Sequence, residues 1–160
     1  MTNRSKFLSF FTVAIASLIV LQVSGCASKP PPKPTSISVD VVAAPDANRD
    51  ASGRSLPIVV RIYELKSLGN FEAADFFALY NQDQTILGAD LLAREEVNLR
   101  PGLQRNITRP TDPGANYLGA IGAFREIDSS SWRAVYSLKP NAENPILIKV
   151  DADAIWIGAR

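Results

Sequence analysis

The stretch IVVRIYEL, residues 58–65, decides the expected fold of the chain. Its residues are mostly β-branched, aliphatic or aromatic, and these types favour extended strands. A polar segment precedes it, and a segment with a different spacing of apolar residues follows it. Residues 58–65 are therefore predicted to form a strand between a loop and a helical insertion.

The polar segment before this strand is Ala44–Pro57 (APDANRDASGRSLP). It is rich in Asp, Asn, Gly, Ser and Pro, which predicts a loop, and it is longer than the ~4–6 residues usual for a connection. From Pro45 to Ser55 its only aliphatic side chains are alanines, so we expect it to add nothing to the core and to offer a binding surface. The alternative is a tolerant connection without a function. The candidate binding residues are Pro45, Asp46, Asn48, Arg49, Asp50, Gly53 and Arg54.

The segment after the strand predicts a helix within Phe71–Leu87. Asn70 or Asp75 is expected to cap its start, because short polar side chains accept hydrogen bonds from the first free amides of a helix. The helical insertion is predicted to span about residues 70–92. Three large side chains repeat at the i, i+3 and i+4 spacing of one helix face: Phe76, Leu79 and Tyr80.

Further strands are predicted on either side of these elements. Arg100-Pro101-Gly102 is typical of a hairpin turn between two of them, and Gly119 and Gly122 indicate a bend or a close backbone approach. Seven or eight short strands with one helical insertion predict a mainly β chain folded as an antiparallel β-sandwich. The additional strands are expected at residues 37–42, 96–99, 103–108, 117–127, 132–138, 146–150 and 155–157.

Large apolar side chains outside the strands have predicted packing roles. Ala74, Phe77 and Tyr80 are expected to pack the helix on the sheet. Phe124 and Trp132 are expected to fill the core. Between them, Arg125 and Glu126 form either an ion pair at a strand end or part of an interface.

The residue types present exclude most catalytic chemistry. The chain has no histidine, so it can form neither a Ser-His-Asp triad nor an HExxH zinc site. Glu95 and Glu96 are neighbours on a predicted strand, where they point to opposite faces and cannot flank one bond. We therefore expect no enzymatic activity, no cofactor and no metal.

The N-terminal residues have the features of a bacterial secretory signal. Arg4 and Lys6 precede the uncharged apolar run Phe7–Leu21. This run is shorter than the ~20 residues of a membrane-spanning helix and matches the ~7–15 apolar residues of a signal peptide. The following Val23-Ser24-Gly25-Cys26 resembles the lipobox of bacterial lipoprotein precursors.

Cys26, the only cysteine in the chain, is the predicted site of lipidation. The lipobox resemblance implies cleavage before Cys26, a diacylglyceryl thioether on its sulfur and a third acyl chain on the new amino terminus. Such an anchor is stable because each buried methylene contributes ~0.8 kcal/mol. Ala27 and Ser28 follow, and the absence of aspartate there implies the outer membrane. A transmembrane anchor or a plain signal, with an incidental Cys26, is the alternative.

These features divide the chain into three predicted parts. Residues 1–25 form the signal peptide, residues 26–36 the lipidated cysteine with a proline-rich linker, and residues 37–160 the β-sandwich domain. Proline clusters favour the extended polyproline II conformation, which suits a spacer. Residues 1–25 carry two basic and no acidic residues, so fifteen basic and sixteen acidic residues remain after cleavage. This balance gives no indication of nucleic acid binding.

Three stretches resemble the TssJ lipoproteins of the type VI secretion system: LPIVVRIYELKSLGNFEAADFFALY (56–80), EEVNLRPG (95–102) and YLGAIGAFREIDSSSWRAV (117–135). The resemblance implies a transthyretin-like β-sandwich with a helical insertion. It also implies an outer-membrane lipoprotein facing the periplasm, which binds the periplasmic C-terminal region of TssM and, through TssM, associates with TssL. In that family the loop between the first two strands is the contact, and it corresponds here to Ala44–Pro57.

Two other functions are alternatives. One is a periplasmic-facing lipoprotein that binds another ligand or inhibits a cell-wall enzyme. The other is an enzyme of transthyretin-like fold, and such sites rely on histidine, which this chain lacks.

Lipidation at Cys26 is testable in cells. Cells fed a labelled fatty acid are expected to label the wild-type chain. The Cys26→Ser variant should lose the label and its retention at the outer membrane, because its hydroxyl cannot form the thioether. Gel fluorography of fractionated membranes measures both effects, and equal labelling of the variant would contradict the prediction.

Overall fold

The computed structural model describes residues 32–160. Predictions that fall on residues 1–31, including the signal peptide and Cys26, lie outside the described residues. Within residues 32–160, no helix is both long and apolar enough to cross a bilayer.

The described residues form eight strands and two α-helices, with two short 3₁₀ helices at Gly88–Asp90 and Ile127–Ser129. The helices are α1 (Gly69–Ala73) and α2 (Phe76–Leu87). The strands are β1 (Ser36–Ala43), β2 (Ile58–Leu65), β3 (Leu91–Leu99), β4 (Gln104–Pro110), β5 (Tyr117–Gly122), β6 (Arg133–Ser137), β7 (Glu143–Val150) and β8 (Ile155–Ala159).

The strands form two four-stranded sheets that pack as a sandwich. One sheet has the order β4-β1-β7-β8 and is called the open sheet here; the other has the order β3-β2-β5-β6 and is called the helix-covered sheet. The predicted mainly β sandwich with a small helical insertion is confirmed. The prediction that all strands pair antiparallel was wrong for one pair. Strands β1 and β7 are parallel, with Val39 opposite Ile146.

The main core lies between the two sheets. Alternate residues of β2 point into it, namely Ile58, Val60 and Ile62, each at most 2% exposed. They meet side chains of the open sheet such as Val39 and Ile148, which are fully buried. Successive side chains of a strand point to opposite faces, so every second side chain of β2 lies in this core.

The other face of β2 is buried in a second core beneath the helices. Tyr63 and Leu65 are fully buried against Phe71 of α1 and Leu79 of α2. The Tyr63 and Phe71 rings pack edge to face, with centroids 5.7 Å apart. Helix burial on this face explains why residues 58–65 are apolar at both odd and even positions.

Helix α2 begins directly after Asp75, one of the two residues predicted to cap the helix. The Asp75 side chain accepts a hydrogen bond from the amide of Ala78 at 2.9 Å. Phe76 is 8% exposed, whereas Phe77 is 59% exposed, so the prediction that Phe77 packs the helix on the sheet was wrong. Successive helical residues are rotated by about 100°, so Phe77 points away when Phe76 faces the sheet.

The predicted hairpin at Arg100-Pro101-Gly102 was also wrong. Strand β3 belongs to the helix-covered sheet, whereas β4 pairs with β1 in the open sheet. The turn therefore carries the chain across the sandwich, and Gly102 has the positive φ of 79° that such a turn requires. Local turn chemistry predicts the reversal but does not decide which strands pair.

Two predictions after β5 need correction. Strand β5 ends at Gly122 and does not continue to residue 127. Trp132 is half-buried, because it lies at the rim of both cores with its ring 5.4 Å from that of Phe76. The guanidinium of Arg133 lies 4.7 Å from the Trp132 ring and covers part of it. Phe124, in contrast, is buried in the main core as expected.

One charged group is buried where the two sheets meet at an edge. Glu64 of β2 is 1% exposed, and its carboxylate accepts a hydrogen bond from Arg109 of β4. The other carboxylate oxygen accepts from the amide of Asp112 at 2.7 Å. A buried carboxylate is tolerated only with such partners, so this pair fixes the position of β4 relative to β2.

Gly119 of β5 provides a test of the second core. A Cβ atom there would lie 2.8 Å from Cζ of Phe71, so Gly119→Ala forces Phe71 to move. We expect the free energy of unfolding to fall by ~1–3 kcal/mol, the usual cost of overpacking. Urea denaturation followed by fluorescence measures the change.

Gly69→Ala is the matched control, because a Cβ atom at Gly69 meets nothing within 4 Å and Gly69 begins helix α1. This variant is expected to be neutral or stabilised by up to ~1 kcal/mol. Equal stability of the two variants would show that Gly119 is not a site of close approach.

Candidate functional site

Four loops meet at one end of the sandwich, called the loop pole here. They are residues 44–57, 100–103, 123–132 and 151–154. The described chain reaches β1 at the opposite end, where Thr35 accepts a hydrogen bond from the amide of Thr111. Strands of eight residues separate the two ends by roughly 25 Å.

The loop between β1 and β2, residues 44–57, is anchored at the loop pole by backbone hydrogen bonds. The amides of Asn48 and Arg49 donate to the carbonyls of Asp151 and Ala152 at 3.1 and 2.9 Å. Arg49 also pairs with Ser55 across the loop in an isolated antiparallel bridge. The loop is therefore a folded extension of the sandwich.

The prediction that this loop adds nothing to the core was wrong. Ala47 is fully buried in the main core, and Asn48 is only 3% exposed. The chain turns back over the end of the sandwich, where the small methyl group of Ala47 fits. Composition alone did not indicate this, because large aliphatic residues are absent from the loop.

Asn48 connects the loop to a neighbouring segment. Its Nδ2 donates to the carbonyl of Pro57 at 2.8 Å, and its Oδ1 accepts from the amide of Arg125 at 2.7 Å. Its φ of 51° lies in the left-handed region, which asparagine adopts more readily than most residues. Because its side chain is buried and bonded internally, Asn48 positions the loop and presents no side chain to solvent.

The exposed tip of the loop is organised by Asp50. Its Oδ1 accepts hydrogen bonds from the amides of Ser52 and Arg54 at 2.9 and 3.0 Å. Its Oδ2 accepts from Nε of Arg54 at 2.9 Å, and Gly53 supplies a positive φ of 81°. Hydrogen bonds from the Ser52 side chain, then from Arg54, hold the pKa of Asp50 well below its usual range.

The other predicted residues lie near the base of the loop. Pro45 is exposed, and Asp46 forms a solvent-exposed ion pair with Arg49 at 3.3 Å. Exposed pairs contribute little stability, ~0–1 kcal/mol, so these charges remain available to a partner at small cost. Cys26, the predicted lipidation site, lies outside the described residues.

A groove of about 410 Å³ lies beside the loop tip. Arg125 and Glu126 form its far wall, and both are exposed. They form no ion pair with each other, so the first of the two predicted roles is wrong. The near wall consists of Asp50, Ala51, Ser52, Arg54 and Leu56.

The contact between the two walls of this groove was not predicted from the sequence. Their juxtaposition depends on the hydrogen bond from Arg125 to Asn48, across 77 residues of sequence. The one residue that could have indicated this contact was Asn48, which was predicted to contact the partner and is instead buried.

The groove suits binding better than catalysis. Its charged side chains are arginine and carboxylate groups, and the Ser52 hydroxyl donates to Asp50 Oδ1 at 2.6 Å, a carboxylate that Arg54 also holds. Within residues 32–160, no group of histidine, cysteine, aspartate or glutamate side chains is placed to hold a metal ion. Hydrogen bonding and charge complementarity are what this surface offers a partner.

Comparison with known proteins identifies the family. The model of the type VI secretion lipoprotein family, which includes SciN, VasD, EvfM and TssJ, matches residues 35–153. The chain belongs to the TssJ family. This confirms the resemblance inferred from the sequence, and the TssJ family is a family of structural secretion lipoproteins.

Solved structures agree with the TssJ assignment. The T6SS lipoprotein TssJ1 from Pseudomonas aeruginosa is 38% identical with a TM-score of 0.77, and the match covers 79% of this chain and 97% of that one. A chain of a structure described as a type VI membrane complex is 34% identical with a TM-score of 0.66, covering 75% and 95%.

A third match is to a chain in the structure described as the T6SS protein TssM C-terminal domain from EAEC. It is 34% identical with a TM-score of 0.67, and the match covers 76% of this chain and 99% of that chain. A search of curated proteins found no match.

Asp50 allows a test of the order of the loop tip. Because its folded pKa is depressed, its contribution to local order is present above its ordinary value of 3.8 and is lost as the pH falls through the folded value. Asp50→Ala is expected to speed amide exchange of Ser52 and Arg54 several-fold at neutral pH, and wild-type exchange should stay slow down to pH 5.

Hydrogen exchange followed by NMR measures these rates. Asp46→Ala is the control, because Asp46 makes only the exposed ion pair with Arg49. Unchanged exchange in Asp50→Ala would mean that the backbone alone orders the tip.

Proposed function

We propose that this chain is an outer-membrane lipoprotein of a type VI secretion membrane complex. In this proposal Cys26 carries the acyl chains, and the sandwich faces the periplasm. The sandwich binds the periplasmic C-terminal region of TssM and tethers it to the outer membrane. TssL, which pairs with TssM in the inner membrane, is an indirect partner.

Membership of a secretion lipoprotein family supports the membrane part of the proposal. The lipobox-like Val23–Cys26 provides the acylation site, and Ala27 and Ser28 do not carry the aspartate that retains lipoproteins in the inner membrane. The proline-rich residues 29–36 then provide an extended spacer of roughly 25 Å between the lipid and the sandwich.

The partner assignment is supported by similarity at the level of whole chains. This chain resembles one chain of a type VI membrane complex and one chain of a structure described by its TssM C-terminal domain. Both matches extend over nearly the full length of those chains, so the likeness concerns the whole domain and not a shared fragment.

The observation that carries the proposal is the position and order of the β1–β2 loop. It lies at the loop pole, the end of the sandwich opposite the point where the chain reaches β1. Its tip is exposed but already held by hydrogen bonds to Asp50. A pre-ordered loop loses less conformational entropy on binding, which favours affinity.

Replacement of the tip tests this function. Exchange of Asp50–Arg54 for Gly-Ser-Gly-Gly-Ser removes the side chains of Asp50 and Arg54 but keeps Asn48, Gly53 and the bridge between Arg49 and Ser55, so the sandwich should remain folded. Binding to the periplasmic C-terminal region of TssM should weaken at least thirtyfold, because loss of a binding hot spot costs at least ~2 kcal/mol. Titration calorimetry with the detergent-purified chain measures the affinity.

The double variant Asn81→Ser and Gln82→Ser is the control, because both residues are exposed on α2 and belong to none of the four loops of the loop pole. It should bind at wild-type strength. If wild-type chain shows no binding to TssM, the alternative functions are favoured, namely binding of another periplasmic ligand or inhibition of a cell-wall enzyme.

A further inference from the structure

We infer that the partner-binding surface is composite. The tip of the β1–β2 loop forms one side, the segment Ala123–Ser131 between β5 and β6 forms the other, and the buried Asn48 holds the two sides together. This inference rests on the proposed function, because the occupant is taken to be the periplasmic C-terminal region of TssM.

Two neighbouring depressions share residues of the β5–β6 segment. Arg125 and Glu126 line the groove of about 410 Å³ beside the loop tip. The same two residues line a second depression of about 330 Å³, which continues along Ile127, Asp128 and Ser129. A partner segment that contacts the loop tip would therefore extend along the β5–β6 segment as well.

Asn48 sets the width of this surface. Its Nδ2 holds the end of its own loop at Pro57, and its Oδ1 holds the amide of Arg125. Its own amide donates to Asp151, which belongs to a third loop of the pole. Because one buried side chain donates to one segment and accepts from another, it fixes the distance between the two segments.

The β5–β6 segment is also tied to the third loop by its backbone. The amide of Ser131 donates to the carbonyl of Asp153 at 2.8 Å, and the amide of Ile155 donates to the carbonyl of Ser131 at 2.9 Å. Both ends of the segment are thus held, at Arg125 and at Ser131, while the residues between them stay largely exposed. This arrangement fixes the backbone from which Arg125 and Glu126 project.

The charges of the surface indicate what it binds. Arg49 and Arg54 are paired with Asp46 and Asp50, whereas Arg125 has no salt bridge to any residue within 32–160, and neither has Glu126 or Asp128 beside it. An exposed guanidinium binds a carboxylate through two parallel hydrogen bonds. The partner group that fits Arg125 is therefore an aspartate or glutamate side chain.

Charge reversal at Arg125 tests the second side of the surface. Arg125→Glu is expected to weaken binding of the TssM region at least tenfold, with a larger effect at low ionic strength. Lys139→Glu is the matched control, because Lys139 is exposed at the opposite end of the sandwich and undergoes the same change of charge. It should bind at wild-type strength when the detergent-purified chains are compared by calorimetry.

Asn48→Gly tests the positioning role. Glycine accepts the left-handed backbone at this position but removes both side-chain hydrogen bonds. We expect faster amide exchange at Arg125 and about tenfold weaker binding to the TssM region. Circular dichroism first checks that the variant is folded under the conditions of both measurements. Asn48→Asp keeps the acceptor for the Arg125 amide, so it should recover part of the affinity.

The outcomes separate this inference from the proposed function. If the tip replacement abolishes binding while Arg125→Glu binds normally, the β5–β6 segment is not part of the surface and only the inference fails. If folded Asn48→Gly binds at wild-type strength despite a lower unfolding temperature, Asn48 has a structural role alone. If the wild-type chain does not bind TssM, the proposed function fails, and the inference fails with it.

Discussion

Burial of strand β2 on both faces is the constraint on which the rest of the structure depends. One face contributes Ile58, Val60 and Ile62 to the core between the sheets, and the other contributes Tyr63 and Leu65 to the core beneath the helices. Without the helices, the second face would expose its apolar side chains to water. The helical insertion is thus required by the sequence of β2.

The same strand fixes the two ends of the sandwich. At its last residues, Glu64 is held by Arg109 of the open sheet, which ties the sheets together near the point where the chain reaches β1. At its first residues, β2 receives the loop from β1, and Asn48 bonds the carbonyl of Pro57. Strand β2 therefore separates the end of the sandwich where the chain reaches β1 from the loop pole.

Local features were predictable because neighbouring residues decide them. The strand at 58–65 and the cap at Asp75 follow from residue type and spacing. The candidate loop at Ala44–Pro57 was likewise evident from composition. Predictions of burial were less successful: Phe77 is exposed and Trp132 is half-buried, because a large apolar residue type does not state which way its side chain points.

The sequence by itself determined the family, the strands, the helical insertion and the polar character of the loop, because these depend on residue types over short distances. Only the tertiary structure decided that β3 and β4 belong to different sheets, and that Asn48 joins the β1–β2 loop to Arg125. Pairing between distant segments depends on the packing of the whole sandwich, so no local pattern encodes it. The walls of the groove at the loop pole are of this kind, since they come together only when both sheets have closed on the main core.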